Sequence, residues 1–288
     1  MSLMRNVYRE GESLARQIES TRVPDGMLAV WHLGQESVAV KGGGVIGYFD
    51  PYLTDSVAEA DPDGPWKRAF PSPLPPERIT HADYVWISHN HGDHLDPATL
   101  AGIYRASPRV VFVCPAPLAG ILKEIGIPED RIVTVKGGET IRLGELSVDV
   151  IPCKHEEFDR DADGNYPYVG YVVRWNGVVF YHAGDTILYP GLAETLRTHR
   201  IDIACLPING ADLKRREAGI VGNMGFREAA DLAAAIEADL AIPFHYDLFP
   251  FNADNPSYFV DYVVREYPYQ KFKLMRVGER LLYASEKA

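Results

Sequence analysis

A single short segment contains three histidines and one aspartate, namely His89, His91, Asp93 and His94. They directly follow the apolar run 84–88, so we expect them on the loop at the carboxyl end of a strand, where α/β proteins place their sites. Imidazole nitrogens together with a carboxylate suit zinc and similar first-row metal ions. An ordinary surface loop does not need so many metal-binding side chains at this spacing. The segment therefore predicts a metal site.

The spacing His-x-His-x-Asp-His also resembles the motif of the metallo-β-lactamase superfamily. That superfamily next places a single histidine after a strand, an aspartate in a Gly-Asp turn and a last histidine after a further strand. His155, Asp185 and His245 stand in that order here, each behind a β-type run. The resemblance implies two metal sites that share one aspartate. Their ligands would be His89, His91 and His155 in the first site, Asp93, His94 and His245 in the second, and Asp185 in both.

A closer resemblance, over most of the chain, is to the L-ascorbate-6-phosphate lactonase family. The segments that carry it are 28–34, 181–185 and 242–247. It implies two divalent ions, zinc or manganese, that hold a shared water as hydroxide for attack on a lactone or ester carbonyl. Asp93 and Asp185 would be the catalytic residues, with Asp93 orienting the water or passing its proton to the leaving oxygen. The implied substrate is small, sugar-like and anionic.

Two further resemblances keep other reactions open. The match around His155 is better to the wider superfamily than to the lactonases. The stretch 87–96 resembles the N-acylphosphatidylethanolamine-hydrolysing phospholipase D, so hydrolysis of a phosphodiester at the same pair of ions is the main alternative. Flavodiiron oxidoreductases share the superfamily fold, but no flavin domain follows residues 281–283 in this sequence.

Four residues near the motifs are candidates for contacts with the substrate. Arg215 and Arg216 belong to the basic run 214–216. This run is either a solvated group of charges or a basic loop at the mouth of the pocket that captures an anionic group. Asn209 and Tyr246 flank the motif segments and are predicted to line the same pocket.

The remaining histidines are assigned by their positions. His182 precedes the shared aspartate by three residues and His32 ends a strand, so both are candidates for hydrogen-bonding partners that orient the metal ligands. His81 and His199 are predicted on the surface. The proline-rich segment 61–76 is either a surface loop or a flap over the pocket.

The composition is that of a globular protein with a substantial core, with 46% hydrophobic and 24% charged residues among 288. The formal net charge of −11 disfavours a nucleic-acid partner, which would require basic surface. No apolar run approaches the ~18 residues of a membrane span, and the first residues lack the apolar core of a signal peptide. These features predict a cytoplasmic protein with a small-molecule substrate and no membrane partner; self-association into a homo-oligomer stays open.

Short strands and helices alternate along the chain and must bring these residues together. Their order fits an α/β sandwich of two mixed sheets with helices on the outer faces, the αββα arrangement that the resemblance also implies. Residues 1–24 are predicted to form a leader and a helix packed on the domain, and residues 25–288 the hydrolase domain. Strands are predicted at 27–33, 37–40, 45–49, 84–88, 110–113, 132–135, 146–151, 169–175, 178–181 and 203–206. Helices are predicted at 10–19, 97–106, 118–125, 192–198, 226–238 and 257–267.

Overall fold

The computed structural model describes residues 7–155 and 157–286 of the chain. Two seven-stranded sheets pack face to face and helices cover the outer face of each, which confirms the αββα fold expected from the sequence. The helices are α1 (Gly11–Ser20), α2 (Ser56–Ala60), α3 (Pro97–Ala106), α4 (Ala119–Glu124), α5 (Leu192–Arg197), α6 (Leu213–Glu217), α7 (Phe226–Ala235) and α8 (Pro256–Glu266). The strands are β1 (Met27–Gly34), β2 (Ser37–Gly42), β3 (Val45–Phe49), β4 (Tyr84–Trp86), β5 (Val111–Pro115), β6 (Ile132–Val135), β7 (Thr140–Leu143), β8 (Leu146–Pro152), β9 (Val169–Trp175), β10 (Val178–His182), β11 (Ile203–Pro207), β12 (Leu240–Phe244), β13 (Lys271–Phe272) and β14 (Arg280–Ala284).

The strand order gathers several strand ends at one edge of each sheet. The first sheet runs β14-β1-β2-β3-β4-β5-β6 and the second β13-β12-β11-β10-β9-β8-β7. In the first sheet, β3 to β6 are parallel to one another. In the second, β10, β11 and β12 are parallel, and β8 points the same way because β9 is antiparallel to both of its neighbours. Loops that follow these strands can therefore build a common site.

Buried aromatic side chains between the sheets fix the end of β4. Trp86 stacks on Phe49 with their ring centroids 5.4 Å apart. The hydroxyl of Tyr171, on the second sheet, donates a 2.7 Å hydrogen bond to the carbonyl of Ile87. Because interiors pack as densely as organic crystals, these rings leave the strand end little freedom. The loop that begins at His89 therefore departs from a rigid support.

Helix α1 packs against the outer face of the first sheet. Its buried residues are Leu14, Ala15 and Ile18, and the side chain of Gln17 accepts a 3.1 Å hydrogen bond from the indole of Trp31 on β1. The predicted leader at residues 1–6 lies outside the described residues. Throughout residues 7–155 and 157–286, no helix is long and apolar enough to cross a bilayer.

Some elements differ from the sequence prediction for identifiable reasons. Helix α7 ends at Ala235, earlier than predicted, because the chain reverses at Glu237 with a left-handed φ of 54°. The basic run 214–216, for which no helix was predicted, forms the short helix α6, since the side chain of Asp212 caps its first turn. Strands β7, β13 and β14 and helix α2 were not predicted. These strands are short and half-exposed, so they lack a clear apolar run.

Candidate metal centre

The loop after β4 turns its side chains back over the strand end. The carbonyl of His91 accepts hydrogen bonds from the backbone N–H groups of His94 (2.9 Å) and Leu95 (2.8 Å). The loop then ends at Asp96, whose side chain accepts the first backbone N–H groups of α3. A tight turn and a capped helix thus hold the motif at both ends.

The second sheet supplies the other three predicted ligands. His155 follows β8, Asp185 follows β10 and His245 follows β12, three strands that point in one direction. The Gly-Asp turn needs its glycine, because Gly184 has a φ of 57° and a Cβ there would lie 2.7 Å from the Cβ of Ser88. The two sheets therefore bring all seven predicted ligands to one place.

These side chains form two adjoining groups with Asp185 between them. One ligand atom each from His89, His91, His155 and Asp185 lies within 4.8 Å of the others, and the same holds for Asp93, His94 and His245. Asp185 Oδ2 is 3.8 Å from His155 Nε2 in the first group and 3.3 Å from His245 Nε2 in the second. Its Oδ1 is 3.4 Å from His94 Nε2.

Buried polar atoms without partners show that the cluster fits cations. His94 Nε2, His155 Nε2 and Asp185 Oδ1 are buried and make no hydrogen bond. Leaving such atoms unpaired costs about 1–3 kcal/mol each. Several of them converging on one point is the arrangement that divalent ions satisfy, and the mixed nitrogen and oxygen donors suit first-row metals.

Burial and neighbouring charges set protonation states that favour metal binding for most ligands. Burial lowers the pKa of His155 to about 4, and burial with the nearby His94 holds the pKa of His89 well below its usual value. Burial alone would raise the pKa of Asp185, but His245 and His94 outweigh it and bring that pKa well below the usual range. The aspartate is therefore ionised and these rings are neutral, as metal binding requires.

His94 and His245 differ from the buried rings of His89 and His155, because nearby carboxylates raise the pKa of both. For His245, burial lowers the pKa, but the carboxylates of Asp185 and Asp93 outweigh it. The shift is larger for His94. Burial lowers its pKa, but the carboxylates of Asp185, Asp93 and Asp50 outweigh this and raise it well above the ordinary value. Without metal, both ring nitrogens of His94 therefore carry a proton, and the charged ring lies among three carboxylates. Metal binding at this position must release one of these protons.

A family model described as “Beta-lactamase superfamily domain” matches residues 49–246, which include the motif loop, His155, Asp185 and His245. The chain belongs to the metallo-β-lactamase superfamily. A UPF0173 metal-dependent hydrolase of Pyrococcus furiosus is 30% identical over 268 residues, covering 88% of this chain and 99% of that protein. An Escherichia coli protein named “Probable L-ascorbate-6-phosphate lactonase” is 24% identical over 300 residues, covering 88% of this chain and 82% of its own.

The fold of this member of the metallo-β-lactamase superfamily is also similar to the folds of solved structures. Igni18, a metallo hydrolase from Ignicoccus hospitalis, superposes with a TM-score of 0.70 at 21% identity, covering 90% of this chain and 100% of that one. At such identity the likeness concerns the fold alone. The family match and the relatives together make the chain a metal-dependent hydrolase.

Asp50 connects two predicted ligands of the hydrolase, a role that was not predicted from the sequence. Its Oδ1 accepts the backbone N–H of Ser88 at 2.7 Å, and its Oδ2 lies 2.5 Å from Ser88 Oγ and 2.8 Å from His94 Nδ1. Ser88 Oγ is in turn 2.8 Å from His89 Nδ1. Asp50 follows β3, which is parallel to β4. An aspartate directly after a strand was the available signal, but the sequence alone did not pair these two strands.

Gln35 organises the second group of ligands and was also missed. Its Nε2 donates a 2.8 Å hydrogen bond to Asp93 Oδ2 and lies 3.3 Å from His245 Nε2. Its carbonyl accepts the backbone N–H of His245 at 3.2 Å. The backbone N–H of Gln35 donates to Asp247 Oδ1 at 3.0 Å, and Asp247 Oδ2 is 3.0 Å from His32 Nε2. Hydrogen bonds therefore link His32 to the ligands through Asp247 and Gln35.

The other histidines lie away from direct contact with the ligands. His182 Nε2 is 2.9 Å from the carbonyl of Glu36, and its Nδ1 accepts the backbone N–H of Gly184 at 3.3 Å, so it supports the turn before Asp185. His81 and His199, predicted on the surface, are half-buried. His81 Nε2 lies 2.8 Å from the hydroxyl of Tyr48.

A cavity of about 680 Å³ opens over the ligand cluster. Part of its wall comes from the proline-rich segment 61–76, through Asp61 and Trp66, and part from α2. The segment therefore borders the pocket, as the flap interpretation of the sequence requires. The described residues that line the cavity are Ser56, Val57, Ala60, Asp61, Trp66, His91, Gly92, Asp93, Pro97, His155, Asp185, Gly219, Ile220, Val221, His245, Phe249 and Asn252.

The four residues predicted to bind substrate are not among the described residues that line this cavity. Tyr246 is buried and packs in the outer core of the second sheet. Asn209 is buried and hydrogen-bonds Asn223. Arg216 is exposed and donates to the carbonyl of Ala211.

Arg215 is held by the protein itself. It is only 9% exposed, and its guanidinium donates to Asn252 Oδ1 at 2.9 Å, to the carbonyl of Ala253 at 3.0 Å and to Asp212. Its side-chain donors are thus engaged within the chain, and Arg215 contacts the cavity wall through Asn252 and, by its backbone carbonyl, through Ile220. The structure therefore gives no support to the basic run as an anion-binding loop.

Replacing Arg215 by alanine is expected to lower the free energy of unfolding by about 1–3 kcal/mol, because the buried oxygen of Asn252 loses its closer donor and keeps the 3.4 Å contact with Asn209. Arg216→Ala is the matched control and is expected to change it by less than about 0.5 kcal/mol, as exposed positions do. Urea unfolding monitored by circular dichroism measures both. Unchanged stability in Arg215→Ala, with a raised KM for an anionic lactone, would instead place this guanidinium on the substrate.

Proposed function

We propose that this hydrolase binds two divalent ions, zinc or manganese, and opens a lactone or a related ester. The observation that carries the proposal is the position of Asp185, between two groups of ligand atoms that face one cavity. An aspartate shared by two cations offsets the repulsion between them. The expected partner is a small-molecule substrate, and the expected compartment is the cytoplasm.

The reaction proposed is addition of water to the carbonyl carbon. Bound divalent ions would supply Lewis acidity that polarises the carbonyl and brings the pKa of a coordinated water near neutrality. A new carbon–oxygen bond forms, the bond to the leaving oxygen breaks, and that oxygen takes the proton that the water has lost. The products are a carboxylic acid and an alcohol, which are joined in one molecule when the substrate is a lactone.

Asp93 is the residue best placed to move this proton. It borders the cavity, and Gln35 donates to its Oδ2 at 2.8 Å, which orients the carboxylate. Burial would raise the pKa of Asp93, but His94 and His245 outweigh it and lower that pKa. The carboxylate is therefore ionised at neutral pH and can accept a proton on the side that faces the cavity.

The lactone is proposed because the Escherichia coli relative bears a lactonase name and its alignment covers 88% of this chain. The anionic, sugar-like character predicted from the sequence is not part of the proposal, since the basic run lies outside the described cavity wall. Phosphodiester hydrolysis is the competing reaction for the test.

Hydrolysis rates of a γ-lactone, a thioester and bis-p-nitrophenyl phosphate by zinc- and manganese-loaded protein test this function. The lactone is expected to react fastest. His91→Ala is expected to abolish the activity, whereas His81→Ala, which removes a half-buried histidine outside the ligand cluster, retains it. Faster turnover of the phosphodiester would replace the lactonase proposal by the phosphodiesterase alternative.

A further inference from the structure

We infer that the substrate carries an uncharged, apolar acyl or alkyl group beside its reacting carbonyl. This group would be seated against Val57, Trp66, Ile220, Val221 and Phe249. The inference rests on the proposed function, because it assigns the substrate class of the same cavity. It differs from the anionic, sugar-like substrate that the sequence resemblance implies.

The part of the cavity wall beyond the ligands is mainly apolar. Val57 comes from α2, Trp66 from the proline-rich segment, Ile220 and Val221 from the loop before α7, and Phe249 from the loop after β12. These are four separate segments of the chain. Their apolar side chains line the same cavity as the predicted metal ligands. A wall of this kind favours apolar groups, which gain from leaving water.

The described wall contains no lysine or arginine that could receive an anionic group. The charged residue that it does contain beyond the ligand cluster is Asp61, which would repel an anion. The neighbouring guanidinium of Arg215 is engaged with Asp212 and Asn252. A phosphate held away from the metal site would therefore lose water without gaining a partner, which is costly.

Arg68 is not among the described residues that line the cavity. Two of its guanidinium nitrogens are hydrogen-bonded, and the third, Nη2, is buried without a hydrogen-bond partner. Its Nη1 donates to the carbonyls of Tyr52 and Thr54, each at 3.1 Å, and its Nε donates to the carbonyl of Phe70 at 3.3 Å. The guanidinium lies 4.9 Å from the ring centroid of Tyr52. Its side chain is only 3% exposed. The cation therefore ties the proline-rich segment to the domain and is shielded from any ligand.

Aromatic contacts hold the apolar wall in position. Trp66 is half-buried and meets Phe249 edge-on, with ring centroids 5.5 Å apart, and Phe251 edge-on at 4.7 Å. Such pairs are stabilising beyond their buried area. Trp66 thus presents a fixed apolar surface to the cavity. The volume of about 680 Å³ falls in the range of sites for drug-sized ligands, so the cavity has room for an apolar tail beside a small ring.

The rate of hydrolysis should therefore rise with the length of an alkyl tail. We would compare γ-butyrolactone, γ-lactones with butyl and octyl tails, and a phosphorylated sugar lactone, using the metal-loaded protein. Each buried methylene is expected to raise kcat/KM by about fourfold until the cavity is filled. The phosphorylated lactone is expected to react more slowly than γ-butyrolactone.

Two variants, Trp66→Ala and Ile220→Arg, test whether the apolar wall causes the dependence of the rate on tail length and charge. Trp66→Ala is expected to lower kcat/KM for the octyl lactone at least ~10-fold more than kcat/KM for γ-butyrolactone, because the tail makes the larger contact with the indole. Tyr258→Ala removes an exposed aromatic side chain of α8 outside the wall and is the matched control. Ile220→Arg places a cation in the cavity and is expected to raise kcat/KM for the phosphorylated lactone.

Binding of γ-lactams, whose amide carbonyl is less reactive toward water than an ester carbonyl, separates this inference from the proposed function. Isothermal titration calorimetry is expected to show tighter binding of the octyl lactam than of its phosphorylated counterpart, and a loss in Trp66→Ala. If the octyl lactam binds in this way while no lactone is hydrolysed, the proposed reaction fails and the inference stands. Equal binding with and without the tail, or a preference for the phosphorylated compounds, would overturn the inference.

Discussion

Replacing Asp185 by asparagine is expected to release one of two bound metals and to lower turnover at least ~100-fold. Asparagine keeps the shape of the side chain but removes the negative charge that lies between the two ligand groups, 3.8 Å from His155 Nε2 and 3.3 Å from His245 Nε2. Without that charge, two cations would repel each other at close range. The size of the effect is that of losing one main electrostatic element of an active site.

Elemental analysis and steady-state kinetics on the same preparation measure both effects of Asp185→Asn. Circular dichroism must show that the variant is folded, which is expected because the asparagine fits the same turn after Gly184. Full activity with two metals retained would show that the bridging group lies elsewhere.

The second large effect is expected for Asp50→Ala, although Asp50 belongs to neither predicted site. Its carboxylate orients His94 directly and His89 through Ser88. Loss of a partner that orients metal ligands typically reduces metal affinity or activity by about 10- to 100-fold. Competition with a chromophoric chelator measures the affinity, and Ser88→Ala is expected to show a smaller loss because His94 keeps its partner.

Asp202→Ala provides a matched control for Asp50→Ala. Asp202 is also buried and also accepts a backbone hydrogen bond, in its case from Val179 of the second sheet at 2.8 Å, but it lies outside the ligand groups. Its replacement is expected to lower stability without changing metal affinity. Equal losses of affinity in both variants would mean that Asp50 acts only through general stability.

The sequence was most informative where many side chains of one chemical type lie close together in the chain. The metal-site prediction for the loop after β4 needed little more than the spacing of His89, His91, Asp93 and His94. The positions of the later ligands were predicted from their resemblance to the superfamily pattern. The αββα fold was predictable for a related reason, since most strands are continuous apolar runs. The structure brings the seven residues together; their role as ligands remains a prediction for experiment.

Residues that reach the site through contacts between distant parts of the chain could not be predicted in this way. Asp50 reaches His94 because β3 and β4 are parallel neighbours, and Gln35 reaches His245 because β1 ends beside the loop after β12. The burial of Arg215 also depends on tertiary contacts. A basic run is normally solvated or available to a ligand, but Asp212 and Asn252 draw this guanidinium inward. Such choices depend on tertiary contacts rather than on local pattern.

The number of metal ions bound per chain tests the central claim most directly. Protein purified without chelator should be dialysed against excess zinc or manganese, freed of loose ions, and measured by elemental analysis against protein concentration. Two ions per chain are expected, because seven clustered ligands exceed the four of one tetrahedral site. Asp185→Asn is expected to retain one, and none should remain after strong chelation. A saturated value of one or zero ions in the unaltered chain would contradict the dinuclear site.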